Sequence, residues 1–109
     1  MSDALTRIKE QVTNNKVVLY MKGSPSFPQC GFSSRAAQVL QLSGLQENDF
    51  LAVDVLQDME IRQGIKEFSN WPTIPQLYVQ GEFVGGSDIL TEMYQNGEIQ
   101  KKLQAVFAS

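Results

Sequence analysis

Histidine is absent from this sequence, and cysteine occurs once, at Cys30. A single cysteine excludes an intrachain disulfide, a self-sufficient thiolate zinc site and a two-cysteine redox loop. Without histidine there is no Ser-His-Asp or Cys-His activation and no histidine-rich metal site. Basic charge is scarce as well: nine Lys and Arg face twelve Asp and Glu, for a net charge of −3. The longest basic run is Lys101-Lys102, which argues against a nucleic-acid-binding stripe. No apolar run approaches the roughly 20 residues a membrane helix needs. The start, Met1-Ser2-Asp3-Ala4-Leu5, lacks the basic and hydrophobic regions of a signal peptide. A reducing, soluble compartment, the cytoplasm, is expected, with neither nucleic acid nor membrane as a partner.

What is present suits one folded domain over residues 1–109. At this length, with 42% of positions hydrophobic, a domain buries roughly two-thirds of the surface its unfolded chain exposes. Leu5, Ile8 and Val12 form a helical stripe, with Ser2 and Asp3 as candidate caps and Asn14-Asn15 as its end. The unbroken apolar run Val17–Met21 predicts a strand covered on both faces. Lys22-Gly23-Ser24-Pro25-Ser26-Phe27-Pro28 is a loop by composition. Helical spacing resumes with Phe32, Ala36, Val39 and Leu40 and stops near Gly44.

Phe50–Val55 reads as a second strand, followed by a helix carrying Ile61, Ile65 and Phe68, with Asp58 near its start. A crossover of that length makes a parallel βαβ unit. Beyond the rigid connector Trp71-Pro72-Thr73-Ile74-Pro75, two short strands flank Gln80-Gly81 as a tight hairpin. Gly85-Gly86 then leads to Ser87 or Asp88 as a helix cap, with Ile89, Leu90 and Met93 on one face. Gly97 breaks that helix, and Ile99, Leu103 and Val106 mark a last one. The order α-βαβα-ββ-αα implies a four-stranded mixed sheet flanked by helices, the α/β thioredoxin-like arrangement, though order alone leaves other small α/β folds open.

Cys30 falls between a Pro-containing loop and a helix starting near Gly31 or Phe32. Helix N-termini favour a thiolate over a thiol, and Lys22 at the far end of the loop adds positive charge. A free cysteine is often a buried packing residue; the flanking loop and the lack of apolar neighbours point instead to a reactive thiol.

Four segments, Lys22-Gly23-Ser24-Pro25, Cys30-Gly31-Phe32-Ser33, Trp71-Pro72-Thr73-Ile74-Pro75-Gln76 and Gly85-Gly86-Ser87-Asp88, resemble the monothiol glutaredoxins of the Cys-Gly-Phe-Ser class. The similarity runs in order and spacing through nearly the whole chain. It implies a glutathione site: Lys22, Arg62 and Lys66 around the glycyl carboxylate, Thr73 and Ile74 pairing their backbone with the cysteinyl unit before a cis Pro75, and Gly86, Ser87 and Asp88 at the γ-glutamyl end. Some of these residues have a plainer alternative. Arg62 and Lys66, four apart, also suit a solvated helix face, and Asp88 a simple cap. Trp71 either covers the site or packs against the sheet; Phe32 is equally open between helix packing and shielding a cluster.

Ser33 stands where dithiol relatives carry a resolving cysteine, and Ser87 where some relatives carry another. A mixed disulfide at Cys30 would need a second glutathione or another protein to resolve it. A 2Fe–2S cluster usually takes four thiolates. The resemblance implies that Cys30 from each of two chains and one glutathione on each supply them, in a homodimer that carries and transfers the cluster. It also suggests BolA-type partners and iron–sulfur acceptor proteins. The alternatives are a glutathione-dependent monothiol oxidoreductase, with Cys30 as the redox thiolate, and a partner-binding scaffold.

Overall fold

A computed structural model describes residues 3–108. Helix α1 (Asp3–Asn14) leads into β1 (Val17–Met21), and α2 (Gly31–Leu42) crosses to β2 (Leu51–Asp54) by way of a 3-10 turn at Glu47–Asp49. Then follow α3 (Met59–Ser69), β3 (Gln76–Val79), β4 (Glu82–Gly85), α4 (Ser87–Gln95) and α5 (Glu98–Phe107). The sheet order is β2-β1-β3-β4, with β1–β2 parallel and β1–β3 and β3–β4 antiparallel. This is the thioredoxin-like mixed sheet.

The sheet is packed on both faces because β1 alternates between two cores. Val17, Leu19 and Met21 face Leu40, Leu90, Ile99 and Leu103 from α2, α4 and α5. Val18 and Tyr20 face Ile8, Val12, Ile61 and Ile65 from α1 and α3. All five β1 residues are buried, as a continuous apolar run requires. Helices α1 and α3 approach closely at Gly64, where a β-carbon would lie 3.1 Å from the Ala4 β-carbon and 3.2 Å from Ile8 Cδ1. In the hairpin, Gln80 and Gly81 both have positive φ, 51° and 81°, the geometry whose twist matches the flanking strands.

Several expected details differ. Ala4, not Leu5, joins Ile8 and Val12 in the buried stripe of α1; Asp3 lies in its first turn, and Ser2 lies outside the described residues. Phe32 is 62% exposed and Ser33 is buried in its place, because the first turn of α2 overhangs a cleft. Phe68 and Ile89 are half-exposed rather than buried. The second strand is shorter than Phe50–Val55: Phe50 ends the 3-10 turn, and Val55 donates to the Met21 carbonyl just past the strand. Neither Ser87 nor Asp88 caps α4. The N-cap is Gly86, which offers no side-chain acceptor.

Candidate functional site

The register decides where the site can be. Met21 pairs with Asp54, Tyr20 with Gln76 and Leu77 with Gly85. One end of the sheet therefore gathers the exit of β1, the exit of β2, the entry to β3 and the exit of β4. The starts of α2 and α4 meet there too, around a cleft of about 410 Å³.

The loop leaving β1 is a closed ring. Gln29 N–H donates to the Lys22 carbonyl at 2.9 Å, and Ser24 and Phe27 exchange backbone bonds at 3.2 and 3.1 Å. Gly23 has φ of 86°, and a β-carbon there would lie 2.5 Å from the Phe27 carbonyl oxygen, so only glycine fits. Two side chains tie the ring to the scaffold. Asp54 Oδ1 accepts from Gly23 N–H at 2.9 Å, and Ser33 Oγ accepts from Lys22 N–H at 3.0 Å. The ring thus brings its two ends, Lys22 and Cys30, to one wall of the cleft.

Cys30 is the N-cap of α2, extended at φ −157° and ψ 137°, half-buried and free. Its side chain makes no capping hydrogen bond, as expected of a weakly accepting thiol. The thiolate is favoured instead, and the Cys30 pKa lies below the ordinary cysteine value. The Ser33 backbone N–H contributes most, burial opposes, and the Phe32 N–H, the Ser33 hydroxyl and finally the Lys22 charge add to it. Backbone donors matter more here than the lysine.

The opposite wall is the connector from α3 to β3. Its Ile74–Pro75 bond is cis. It is held from inside by Gln76, which is fully buried: Nε2 donates to the Trp71 and Thr73 carbonyls at 3.2 and 3.0 Å. Sequence reasoning placed Gln76 in a strand and at the end of one motif without a role; a lone polar residue opening an apolar run was the available signal. Thr73, Ile74 and Pro75 line the cleft, with Lys66 from α3 and Gly86, Ser87 and Asp88 from the start of α4. Arg62, one turn before Lys66, is half-buried and not in the lining. Phe32 and Trp71 do line it, as do Pro72 and Ile89, which the sequence did not single out. Trp71 also packs on Phe83 with ring centroids 5.7 Å apart, so its two alternative roles coexist.

Ser87 is 6% exposed, and its Oγ has no hydrogen-bond partner. Among the described residues no three His, Cys, Asp or Glu side chains gather as a metal site, and no helix is long and apolar enough to cross a membrane. The arrangement offers one activated thiol, two lysines and open helix-terminal donors, all lining one cleft.

Residues 17–84 match the family model for glutaredoxin. The chain is 59% identical over 103 residues to a ycf64-like monothiol glutaredoxin of Synechocystis sp., covering 94% of each. It is 47% identical over 108 residues to glutaredoxin 4 of Escherichia coli, covering 99% of this chain and 91% of that one. The solution structure of reduced poplar apo GrxS14 superposes with a TM-score of 0.79 at 46% identity, covering 95% of this chain and 93% of that one. With one thiol at the start of α2 and Ser33 a turn later, the chain belongs to the glutaredoxin family and to its monothiol class.

Proposed function

We propose that the chain binds glutathione in this cleft and, as a homodimer, carries a 2Fe–2S cluster that it passes to acceptor proteins. The observation that carries the reading is a single half-exposed, thiolate-favouring Cys30 in a cleft that Lys22 and Lys66 also line. Lys22 and Lys66 suit the glycyl carboxylate, with Arg62 close behind on α3. The backbone of Thr73 and Ile74 before Pro75 suits the cysteinyl unit. The open start of α4 at Gly86, Ser87 and Asp88 suits the γ-glutamyl carboxylate and ammonium. Four sulfur ligands then come from Cys30 and glutathione on each of two copies. Because two of the four ligands are small and exchangeable, the cluster transfers by ligand exchange.

Anaerobic reconstitution with iron, sulfide and glutathione tests this. The expected product is a coloured dimer with one cluster per two chains that does not form when glutathione is omitted. Failure to bind iron under those conditions overturns the reading.

The lowered Cys30 pKa also favours a second reading, glutathione-dependent reduction of mixed disulfides. Cys30 thiolate would attack the glutathionyl sulfur and release the protein thiolate. A second glutathione thiolate would then attack the Cys30–glutathione disulfide, forming glutathione disulfide and restoring the Cys30 thiolate. Robust turnover of a glutathionylated protein, abolished in Cys30→Ser, would establish it.

A further inference from the structure

We propose that the indole N–H of Trp71 is a ligand donor in the cleft, hydrogen-bonding a carboxylate seated at the N-terminus of α4. The proposal rests on the glutathione reading above and assigns that carboxylate to the γ-glutamyl end.

Trp71 is 38% exposed, yet its backbone and one side of its ring are tied to the fold. Its backbone N–H donates to the Lys66 carbonyl at 3.2 Å and to Ser69 Oγ at 3.1 Å, and its carbonyl accepts from Gln76 Nε2. Its ring rests on Phe83, which packs on Tyr78, which packs edge-on against Tyr20 in the core. The contact with Phe83 orients the indole along the cleft that it lines. Its Nε1 can only donate, and it has no hydrogen-bond partner among the described residues.

The position of that nitrogen gives the proposal its direction. A β-carbon added at Gly86 would lie 3.2 Å from the Pro75 carbonyl oxygen and 3.8 Å from Trp71 Nε1. The indole nitrogen thus borders the first turn of α4, where the N-cap is a glycine that supplies no acceptor. Ser87 Oγ, buried beside it, is also unpartnered. Backbone amides, the Ser87 hydroxyl and the Trp71 indole N–H lie around the start of α4, neither side chain has a partner among the described residues, and a carboxylate accepts up to four such bonds. Asp88 at the rim pairs with an ammonium, so an amino-acid carboxylate is preferred to a simple anion. Packing alone would be served by phenylalanine as well as by tryptophan.

This is the chain's only tryptophan, so heteronuclear NMR reads one indole signal. Glutathione should move that proton downfield, whereas γ-aminobutyryl-cysteinylglycine, which lacks the α-carboxylate, should leave it in place. Trp71→Phe, which keeps a ring on Phe83, should bind glutathione about fivefold to tenfold more weakly and bind the analogue with unchanged affinity. The assignment is overturned if the indole signal stays put while the Ser87 and Asp88 amides respond to glutathione, or if Trp71→Phe weakens both ligands equally. If none of these groups responds to glutathione, the glutathione reading itself fails, and the indole assignment with it.

Discussion

Helix starts in this molecule are of two kinds. Asp58 caps α3: Oδ1 accepts from Glu60 and Ile61 N–H at 3.1 Å each, while Oδ2 takes Arg7 at 2.6 Å. At α5 the N-cap Gly97 offers no side chain, but Asn96 just before it accepts from Glu98 N–H, and Gln46 and Asp49 form a reciprocal capping box on the 3-10 turn. The starts of α2 and α4, both at the cleft, have Cys30 and Gly86 as N-caps and no side-chain acceptor. An uncapped start leaves backbone donors for a partner outside the helix. Here the donors at α2 act on a thiolate, and those at α4 are left for a ligand. Among the described helix starts, the two at the cleft are the ones with no side-chain acceptor from the N-cap or the residue before it.

The most severe way to break this contrast is to cap α2 with the residue type that caps α3. Cys30→Asp should gain roughly 1 kcal/mol from the new cap, read as a higher melting temperature. It should also abolish cluster reconstitution and mixed-disulfide formation completely. A variant that keeps either chemistry would separate the helix end from the function. Lys22→Glu reverses a charge lining the cleft while leaving the backbone bonds of the loop in place. Glutathione affinity by calorimetry should fall about tenfold, and the cluster should be lost faster; unchanged affinity would remove Lys22 from the site.

Asp58→Ala opens the start of α3. The melting temperature should drop by several degrees while glutathione affinity stays within about twofold. A large loss of affinity would show that the capped end also serves the cleft. The smallest effect is in acid. Arg7 and the Ile61 and Glu60 amides hold the Asp58 carboxyl below the ordinary aspartate value. Its contribution is therefore complete above that value and disappears as pH falls through the lowered one. Asp58→Asn should flatten the acid side of the stability profile over that interval, at pH below about 4. A profile parallel to the parent would deny the carboxylate its part.

The element order was fully legible, because the apolar spacing switches clearly between the strand and helix periods and glycine or proline marks most joints. Less legible was whatever depends on the meeting of distant segments. Phe32 satisfies a helical stripe by spacing, yet the sheet end leaves its turn overhanging a cleft, so Ser33 takes the buried position. Ser87 and Asp88 are preferred capping residues, but the Gly85-Gly86 turn starts the helix one residue earlier. Cys30, Lys22 and the residues from Thr73 to Asp88 that line the cleft were readable through four motifs in register. The role of Gln76, the last residue of one motif, was not, since its two carbonyl partners are defined only once the connector has folded around it. Trp71 could not be decided from sequence, because one face of the ring belongs to the core and its edge to the cleft.

Ser33 carries a consequence for how such a chain can change over generations. Its hydroxyl is engaged: fully buried, it accepts the Lys22 amide and so fastens the loop that bears Cys30. A sulfhydryl is a much poorer acceptor. Replacing Ser33 with cysteine would restore a second thiol and, in the same step, loosen the joint that places the first. A chain that gains a second thiol at this position must therefore hold that loop in another way.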